Sequence, residues 1–264
     1  MSETERCVRQ GREQQRGHTM LLHGLNVVLV KTRFPENTGM AARACANMGC
    51  GDLRLVAPER WLPEKALPLA TPKGRAVLDG ARIFDDLPAA VAESALVIGT
   101  TARTGGWRRE LLHPAAAAAE AVAALRAGNR VSLVFGPEDR GLDNADIAAC
   151  HRLLTIPTDA ASSLNLAQSV LLTLYECAGA MRRAARDAAP VENVEKTVSA
   201  REQERLVAAL RETLLAVDAL HGDNPDYFLM PWRRLFGRAR LRRHEYDAFM
   251  GLCRQVRNAL QRKG

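Results

Sequence analysis

Val131-Ser132-Leu133-Val134-Phe135-Gly136-Pro137-Glu138-Asp139-Arg140-Gly141-Leu142 is the stretch on which the fold turns. Its first five residues form a short, largely apolar run rich in β-branched and aromatic side chains. Such a run, closed by a Gly-Pro pair, reads as a strand buried on both faces. Gly136 stands at the strand exit, where the lack of a Cβ lets the backbone approach a ligand closely. The polar run that follows reads as a loop rather than a continuing element.

The same grammar repeats on both sides. Apolar runs at 25–30, 53–56, 81–84, 96–98 and 153–156 read as further strands. Between them, helical stretches are expected at 40–48, near 75–78, at 88–93, 114–127, 144–150 and 164–183. Pro114 suits a first helical turn. Strands alternating with helices from Leu25 to Arg183 define an α/β fold with a mostly parallel sheet and helices on both faces. In such sheets ligands bind at the carboxyl ends of the strands. Three strand exits carry small and hydroxylated residues: Gly99-Thr100-Thr101-Ala102-Arg103, Gly136 to Gly141, and Pro157 to Asn165. Each alone could be an ordinary turn. Together they point to one shared small-molecule site. A fourth exit leads to Asn37-Thr38-Gly39 and Arg43. Helical spacing puts Arg43 on a face with Gly39 and Asn47, opposite the small residues Ala41, Ala42, Ala44 and Cys45.

The last third differs. Residues 185–198 read as a linker. Residues 199–264 read as a small helical module, opened by a Ser199 cap with Glu202 completing a capping box. Two further helices are expected near 231–236 and 244–260. Residues 1–181 hold 20 Lys/Arg against 19 Asp/Glu, whereas 182–264 hold 17 against 11, so most of the net charge of +7 lies in this module. Arg233, Arg234, Arg238, Arg240, Arg242 and Arg243 concentrate it. The bland reading is a solvated helix end. The functional one is a set of phosphate contacts that position a nucleic acid. Trp232 and Phe236 read as core of the module. Residues 1–22 read as a flexible polar tail without the apolar stretch of a signal peptide.

Several chemistries find no support. No run of about 18 apolar residues could span a membrane. The six cysteines form no CxxC pair and no Cys/His cluster, so no metal site is expected and the thiols read as reduced, as in a cytoplasmic protein. There is no GxGxxG after a strand, no phosphate-binding GxxxxGK[ST], no HExxH and no GxSxG.

Three ordered motifs give a specific resemblance: Asn37-Thr38-Gly39-Met40-Ala41-Ala42-Arg43, then Leu133 to Leu142, then Ile156-Pro157 followed by Ser162-Ser163-Leu164-Asn165-Leu166-Ala167. Over about 25–181 the chain resembles the SPOUT superfamily of S-adenosylmethionine-dependent RNA methyltransferases, and within it the TrmH family of ribose 2′-O-methyltransferases. The helical module, notably Thr213-Leu214-Leu215 and Arg233 to Arg240, resembles that of family members acting on the tRNA anticodon loop. The resemblance implies a methyltransferase domain over 23–184 with a C-terminal trefoil knot, a homodimer, and S-adenosylmethionine as cofactor. It implies cofactor contacts at Thr100, Thr101, Ala102, Gly136, Ile156, Ser162, Ser163 and Leu164. It implies catalytic roles for Arg43, Ser163, Asn165, Asn37 and Glu138, with Arg43 central. Alternatives of the same or another class are an rRNA ribose methyltransferase and a non-catalytic RNA-binding relative.

Overall fold

A computed structural model of the chain describes residues 20–103, 111–159, 164–187, 197–220 and 225–262. The tail at 1–19, Ser162, Ser163 and most of the expected linker lie outside the described residues.

Seven strands form one sheet in which every pair is parallel. They are β1 (Leu25–Val30), β2 (Asp52–Val56), β3 (Arg82–Phe84), β4 (Leu96–Thr100), β5 (Leu111–Leu112), β6 (Val131–Phe135) and β7 (Arg152–Leu154), in the order β3-β2-β1-β6-β4-β7-β5. The helices between and after them are α1 (Pro35–Met48), α2 (Pro63–Asp79), α3 (Leu87–Val91), α4 (Pro114–Arg126), α5 (Asn144–Ala148) and α6 (Leu166–Arg186). α1 packs on α2 and α6, and α4 packs on α6.

The continuous apolar character of β1 follows from the pleat. Val27 and Leu29 join Leu53, Leu55, Ile98 and Leu133 in one core layer, while Val28 and Val30 point the other way into a second. Successive side chains in a strand alternate faces, so a strand covered on both sides needs apolar residues throughout. Each fully buried Leu or Ile stabilises the fold by roughly 1.5–3 kcal/mol.

Four sequence expectations are corrected. α1 begins at Pro35, five residues before the expected start. Proline at the first helical position presets φ and gives up no helix hydrogen bond there. Asn37-Thr38-Gly39 therefore sits inside the first turns rather than in a loop. α1 ends where Gly49 adopts φ 76°, a left-handed conformation that suits glycine. α2 is far longer than the expected short helix: it runs from Pro63 to Asp79 as two helical pieces meeting at Thr71, φ 61° and ψ 167°. That break frees Pro72 from the need for a donor in a helix interior. The two-residue β5 carries no periodic signal in the sequence. β7 ends at Leu154, so Ile156 lies beyond the strand in the exit loop.

Three more helices follow among the described residues: α7 (Ala200–Ala216), α8 (Pro225–Ala239) and α9 (Arg243–Gln261). α7 opens on Ser199 and the expected capping box with Glu202. They share a core of Leu206, Val207, Leu229, Phe236, Leu241 and Tyr246, with the Phe236 and Phe249 rings 5.4 Å apart. Phe236 is buried as expected, but Trp232 is 38% exposed. These helices rest on the amino-terminal edge of the sheet. Ala200 N–H donates to Ser94 O at 2.8 Å, Arg201 N–H to Ala92 O at 3.1 Å, and Thr197 N–H to Asn129 Oδ1 at 3.2 Å. Glu120 of α4 accepts both Arg152, at 3.3 Å, and Arg240. Gly237 lies against the His151 backbone, where an added Cβ would meet Cα at 3.3 Å.

Candidate active site

The opposite, carboxyl edge of the sheet brings the exits of β1, β4, β6 and β7 together. Three of the expected catalytic residues form one hydrogen-bonded chain there. Asn37 Nδ2 donates to Glu138 Oε1 at 2.7 Å, and Asn165 Nδ2 donates to Asn37 Oδ1 at 2.9 Å. The second Glu138 oxygen accepts the Arg33 backbone N–H at 3.2 Å. Asn165 Oδ1 caps α6 by accepting Ala167 N–H at 2.9 Å and Gln168 N–H at 3.3 Å. Asn165 therefore has the helix-capping role and also links α6 to α1. Asn37 is buried and Glu138 half-buried, so the bond between them is partly shielded from water, while Asn165 reaches it from an exposed position.

Arg43 does not join this chain. It is exposed on α1, and no side chain among the described residues pairs with it. Ala41, Ala42, Ala44 and Cys45 are buried, as their spacing suggests. The sequence reading does not anticipate what brings α2 against the Arg43 turn. An added Cβ on Gly74 would meet Arg43 Cα at 2.9 Å, and one on Gly39 would meet Ala66 O at 2.1 Å. Two glycines thus let α1 and α2 touch backbone to backbone. A glycine inside a helical pattern is the sequence signal that could flag this.

The expected cofactor loops are gathered on neighbouring strands. Thr100 Oγ1 donates to Val134 O at 3.1 Å, stitching β4 to β6. Thr101 N–H donates to Leu154 O at 2.9 Å, stitching β4 to β7, and its hydroxyl accepts Arg103 N–H at 3.1 Å. Ala102 is exposed beside them. The 136–142 loop folds back on itself so closely that a Cβ on Gly136 would lie 2.3 Å from Leu142 N. Ile156 and Leu164 are half-buried at the next exit. These exits together contribute two half-buried aliphatic side chains, two threonines and a glycine backbone.

Charged side chains whose pairing the sequence does not show surround this edge. Arg33 pairs with Asp139 at 2.8 Å and Glu59 at 3.2 Å; Arg140 pairs with Glu59 at 2.8 Å. Lys31 pairs with Asp143 at 3.0 Å. The Asp143 bond raises the Lys31 pKa above its ordinary value. The Asp146 N–H does most to hold the Asp143 carboxyl below its own, aided by Lys31 and against partial burial. Arg103 reaches the carbonyls of Arg140, at 2.5 Å, and Leu142, at 3.1 Å.

The six arginines between 233 and 243 lie on α8, in the turn after it and at the start of α9. Arg233 pairs with Glu204, Arg243 with Glu202 at 2.5 Å, and Arg240 with Glu120. Arg234, Arg238 and Arg242 are exposed. Arg240 thus joins the helices to the sheet domain. Near it His151 Nδ1 accepts Val97 N–H at 3.2 Å, and burial, then the charges of Arg152 and Arg240, push its pKa down to about 4. Among the described residues no cluster of ligating side chains could hold a metal, and no helix is long and apolar enough to cross a membrane.

Comparison with known proteins places this geometry. Residues 24–175 match the SpoU rRNA Methylase family. The chain is 34% identical over 244 residues to a tRNA (cytidine/uridine/adenosine-2′-O-)-methyltransferase, TrmJ of Pseudomonas aeruginosa, covering 89% of this chain and 95% of that one. It is 33% identical over 246 residues to the tRNA (cytidine/uridine-2′-O-)-methyltransferase TrmJ of Escherichia coli K12, covering 92% and 98%. Among solved structures it resembles TrmJ from Z. mobilis ZM4, with a TM-score of 0.74 and 29% identity over 88% of this chain and 98% of that one.

Proposed function

The chain belongs to the SpoU rRNA Methylase family, and from that premise we propose that it transfers a methyl group from S-adenosylmethionine to a ribose 2′-OH in the anticodon loop of tRNA. The observation that carries the reading is the Glu138–Asn37–Asn165 chain, which fixes three motifs of the sequence at one edge of the sheet beside the Arg43 turn. Full-length similarity to tRNA 2′-O-methyltransferases, including the C-terminal helices, supports tRNA over rRNA.

The residues present fit the cofactor. The glycine-backed fold of the 136–142 loop, the aliphatic Ile156 and Leu164 and the two threonines offer apolar contact and backbone polar groups, the donor set an adenine edge requires. Thr100, Thr101, Ala102, Gly136, Ile156 and Leu164 would hold it, together with Ser162 and Ser163. When bound, S-adenosylmethionine supplies an electrophilic methyl on a positively charged sulfur. The chain's own task is to orient the ribose oxygen and stabilise charge as its proton leaves. Arg43 does this as a fixed positive charge beside the target oxygen and its neighbouring phosphate. A guanidinium stays protonated in proteins, so it serves as an electrostatic clamp rather than a base. Asn37, Glu138 and Asn165 hold the surrounding elements in register, and Ser163 adds a hydroxyl for the ribose. Arg234, Arg238 and Arg242 contribute phosphate contacts on the helical module.

The reading extends to architecture. The methyltransferase domain spans 23–184 and the helical module 199–264. β7 inserts between β4 and β5, and α6 packs back on α1 and α4, which supports a chain threaded as a trefoil knot. Exposed Leu171, Leu172 and Tyr175 on α6, with Phe34 at the start of α1, form the apolar face through which two copies pair. The protein works in the cytoplasm, where its substrate is. Methyl transfer to separate unmodified tRNA and rRNA transcripts tests the assignment: labelling of tRNA supports it, and labelling of rRNA alone moves the chain to the second substrate.

A further inference from the structure

Arg33, Glu59, Asp139 and Arg140 close a ring of alternating charge at the rim of the site. Arg33 reaches Asp139 at 2.8 Å and Glu59 at 3.2 Å, while Arg140 reaches Glu59 at 2.8 Å and Asp139 at 3.9 Å. The four residues come from three strand exits: Arg33 follows β1, Glu59 follows β2, and Asp139 and Arg140 follow β6. Backbone bonds reinforce the ring, since Glu59 N–H donates to Thr32 O at 3.0 Å. Two of its members flank the catalytic machinery in sequence. Asp139 is next to Glu138, and Arg33 stands four residues before Asn37 while its own N–H donates to Glu138 Oε2 at 3.2 Å.

We propose that Arg33 is a positioning residue for methyl transfer: its guanidinium, clamped between Glu59 and Asp139, fixes the 136–142 loop against the start of α1 and so aims the Glu138 carboxylate at Asn37. This deepens the methyltransferase reading and rests on it. The geometry favours positioning over direct RNA contact. Two guanidinium groups face two carboxylates, so the ring carries no net charge and offers a phosphate no attraction as a unit. A single exposed ion pair contributes little to stability. Four interlocked groups spanning three loops restrict relative loop motion instead, and small displacements at a reacting centre have large kinetic consequences. Asp139 and Arg140 lie within a sequence motif, but their pairing with Arg33 and Glu59 across 81 to 106 residues leaves no local signal.

The test uses the full-length protein, S-adenosylmethionine and unmodified tRNA. Arg33→Met lowers kcat on the order of tenfold, with KM for tRNA and the salt dependence of binding unchanged. Arg33→Lys, which keeps one ion pair, recovers part of the loss. In a Glu138→Gln background, Arg33→Met has no further effect, because both changes interrupt the same route. Hydrogen exchange supplies a readout independent of turnover: amides of 136–142 exchange faster in Arg33→Met while those of β1 and β6 keep their protection. A rise in KM with a shallower salt slope would make Arg33 an RNA contact and overturn the proposal, as would additive losses in the double variant or unchanged exchange in the loop. If the wild-type protein methylates no RNA, the functional reading fails, and the exchange measurement alone decides whether Arg33 positions the loop.

Discussion

The two edges of the sheet use polar residues in opposite ways. At the carboxyl edge, Asn37, Glu138 and Asn165 bond to one another through short side chains, and Arg43 stands beside them without a partner among the described residues. At the amino-terminal edge, Arg152 and Arg240 converge on Glu120, and backbone bonds from Thr197, Ala200 and Arg201 hold the C-terminal helices in place. Both edges pair most of their charges internally, the carboxyl edge through Arg33, Glu59, Asp139 and Arg140, but Arg43 stands outside those pairs. A count of arginines cannot distinguish the two. In the positive C-terminal third Arg211, Arg233, Arg240, Arg243 and Arg257 all have carboxylate partners, whereas Arg43, in the nearly neutral first part, is exposed with none among the described residues.

The largest expected effect breaks the comparison at its functional end. Arg43→Ala should reduce methyl transfer by about 100- to 1,000-fold, the scale seen when one charge-stabilising donor is removed. Calorimetry should show cofactor affinity within about twofold of wild type. Near-normal turnover would remove Arg43 from the mechanism. Gly136→Val should come next. Its side chain would collide with the Leu142 backbone, so the loop must open, at a cost of roughly 1–3 kcal/mol, with cofactor affinity falling by about tenfold or more. Unchanged affinity by calorimetry would sink the placement of that loop.

The C-terminal arginines give a subtler contrast. Reversing Arg234, Arg238 and Arg242 to Glu should weaken tRNA binding and flatten its salt dependence, the slope falling by nearly one for each phosphate no longer neutralised. Arg240→Ala should instead act mainly on stability. It leaves the half-buried Glu120 with one partner fewer and lowers the unfolding free energy by about 1–2 kcal/mol, read by urea titration. Equal salt slopes in the two variants would erase the distinction between docking and RNA-facing arginines.

The docked edge also carries a pH dependence. The folded state holds the His151 pKa near 4, below the unfolded value of about 6.5. A histidine kept neutral by folding contributes stability that is complete above the unfolded pKa and is lost as pH falls towards the folded one. Urea midpoints should therefore decline between about pH 6.5 and 4. His151→Asn, whose side-chain oxygen can still accept the Val97 N–H, should flatten that decline. A parallel decline in both proteins would show that other groups are responsible.

Sequence patterning recovers what periodicity encodes. The runs at 25–30 and 131–135 match β1 and β6 residue for residue, and Ser199 with Glu202 caps α7 as read. It fails where tertiary contact decides. α1 starts at Pro35 because a proline at the first turn needs no donor, yet the polar Asn37-Thr38-Gly39 has the composition of a loop. α2 accommodates Pro72 because Thr71 breaks the helix immediately before it. The motif residues Asn37, Glu138 and Asn165 are legible as a group, but not that they bond to one another across more than 100 residues of sequence. The arginines of the C-terminal third are legible as a cluster, but not that Glu120, Glu202 and Glu204 claim three of them, because ion pairing at such separations leaves no local signal.

Mapping the methylated nucleotide tests the central claim most directly. The protein is incubated with isotopically labelled S-adenosylmethionine and total unmodified tRNA, and the product is digested and read by mass spectrometry. The account predicts label on a ribose 2′-oxygen of an anticodon-loop nucleotide, present with the wild-type chain and lost with Arg43→Ala. Label on a base, or label on ribose that persists undiminished in Arg43→Ala, would contradict it.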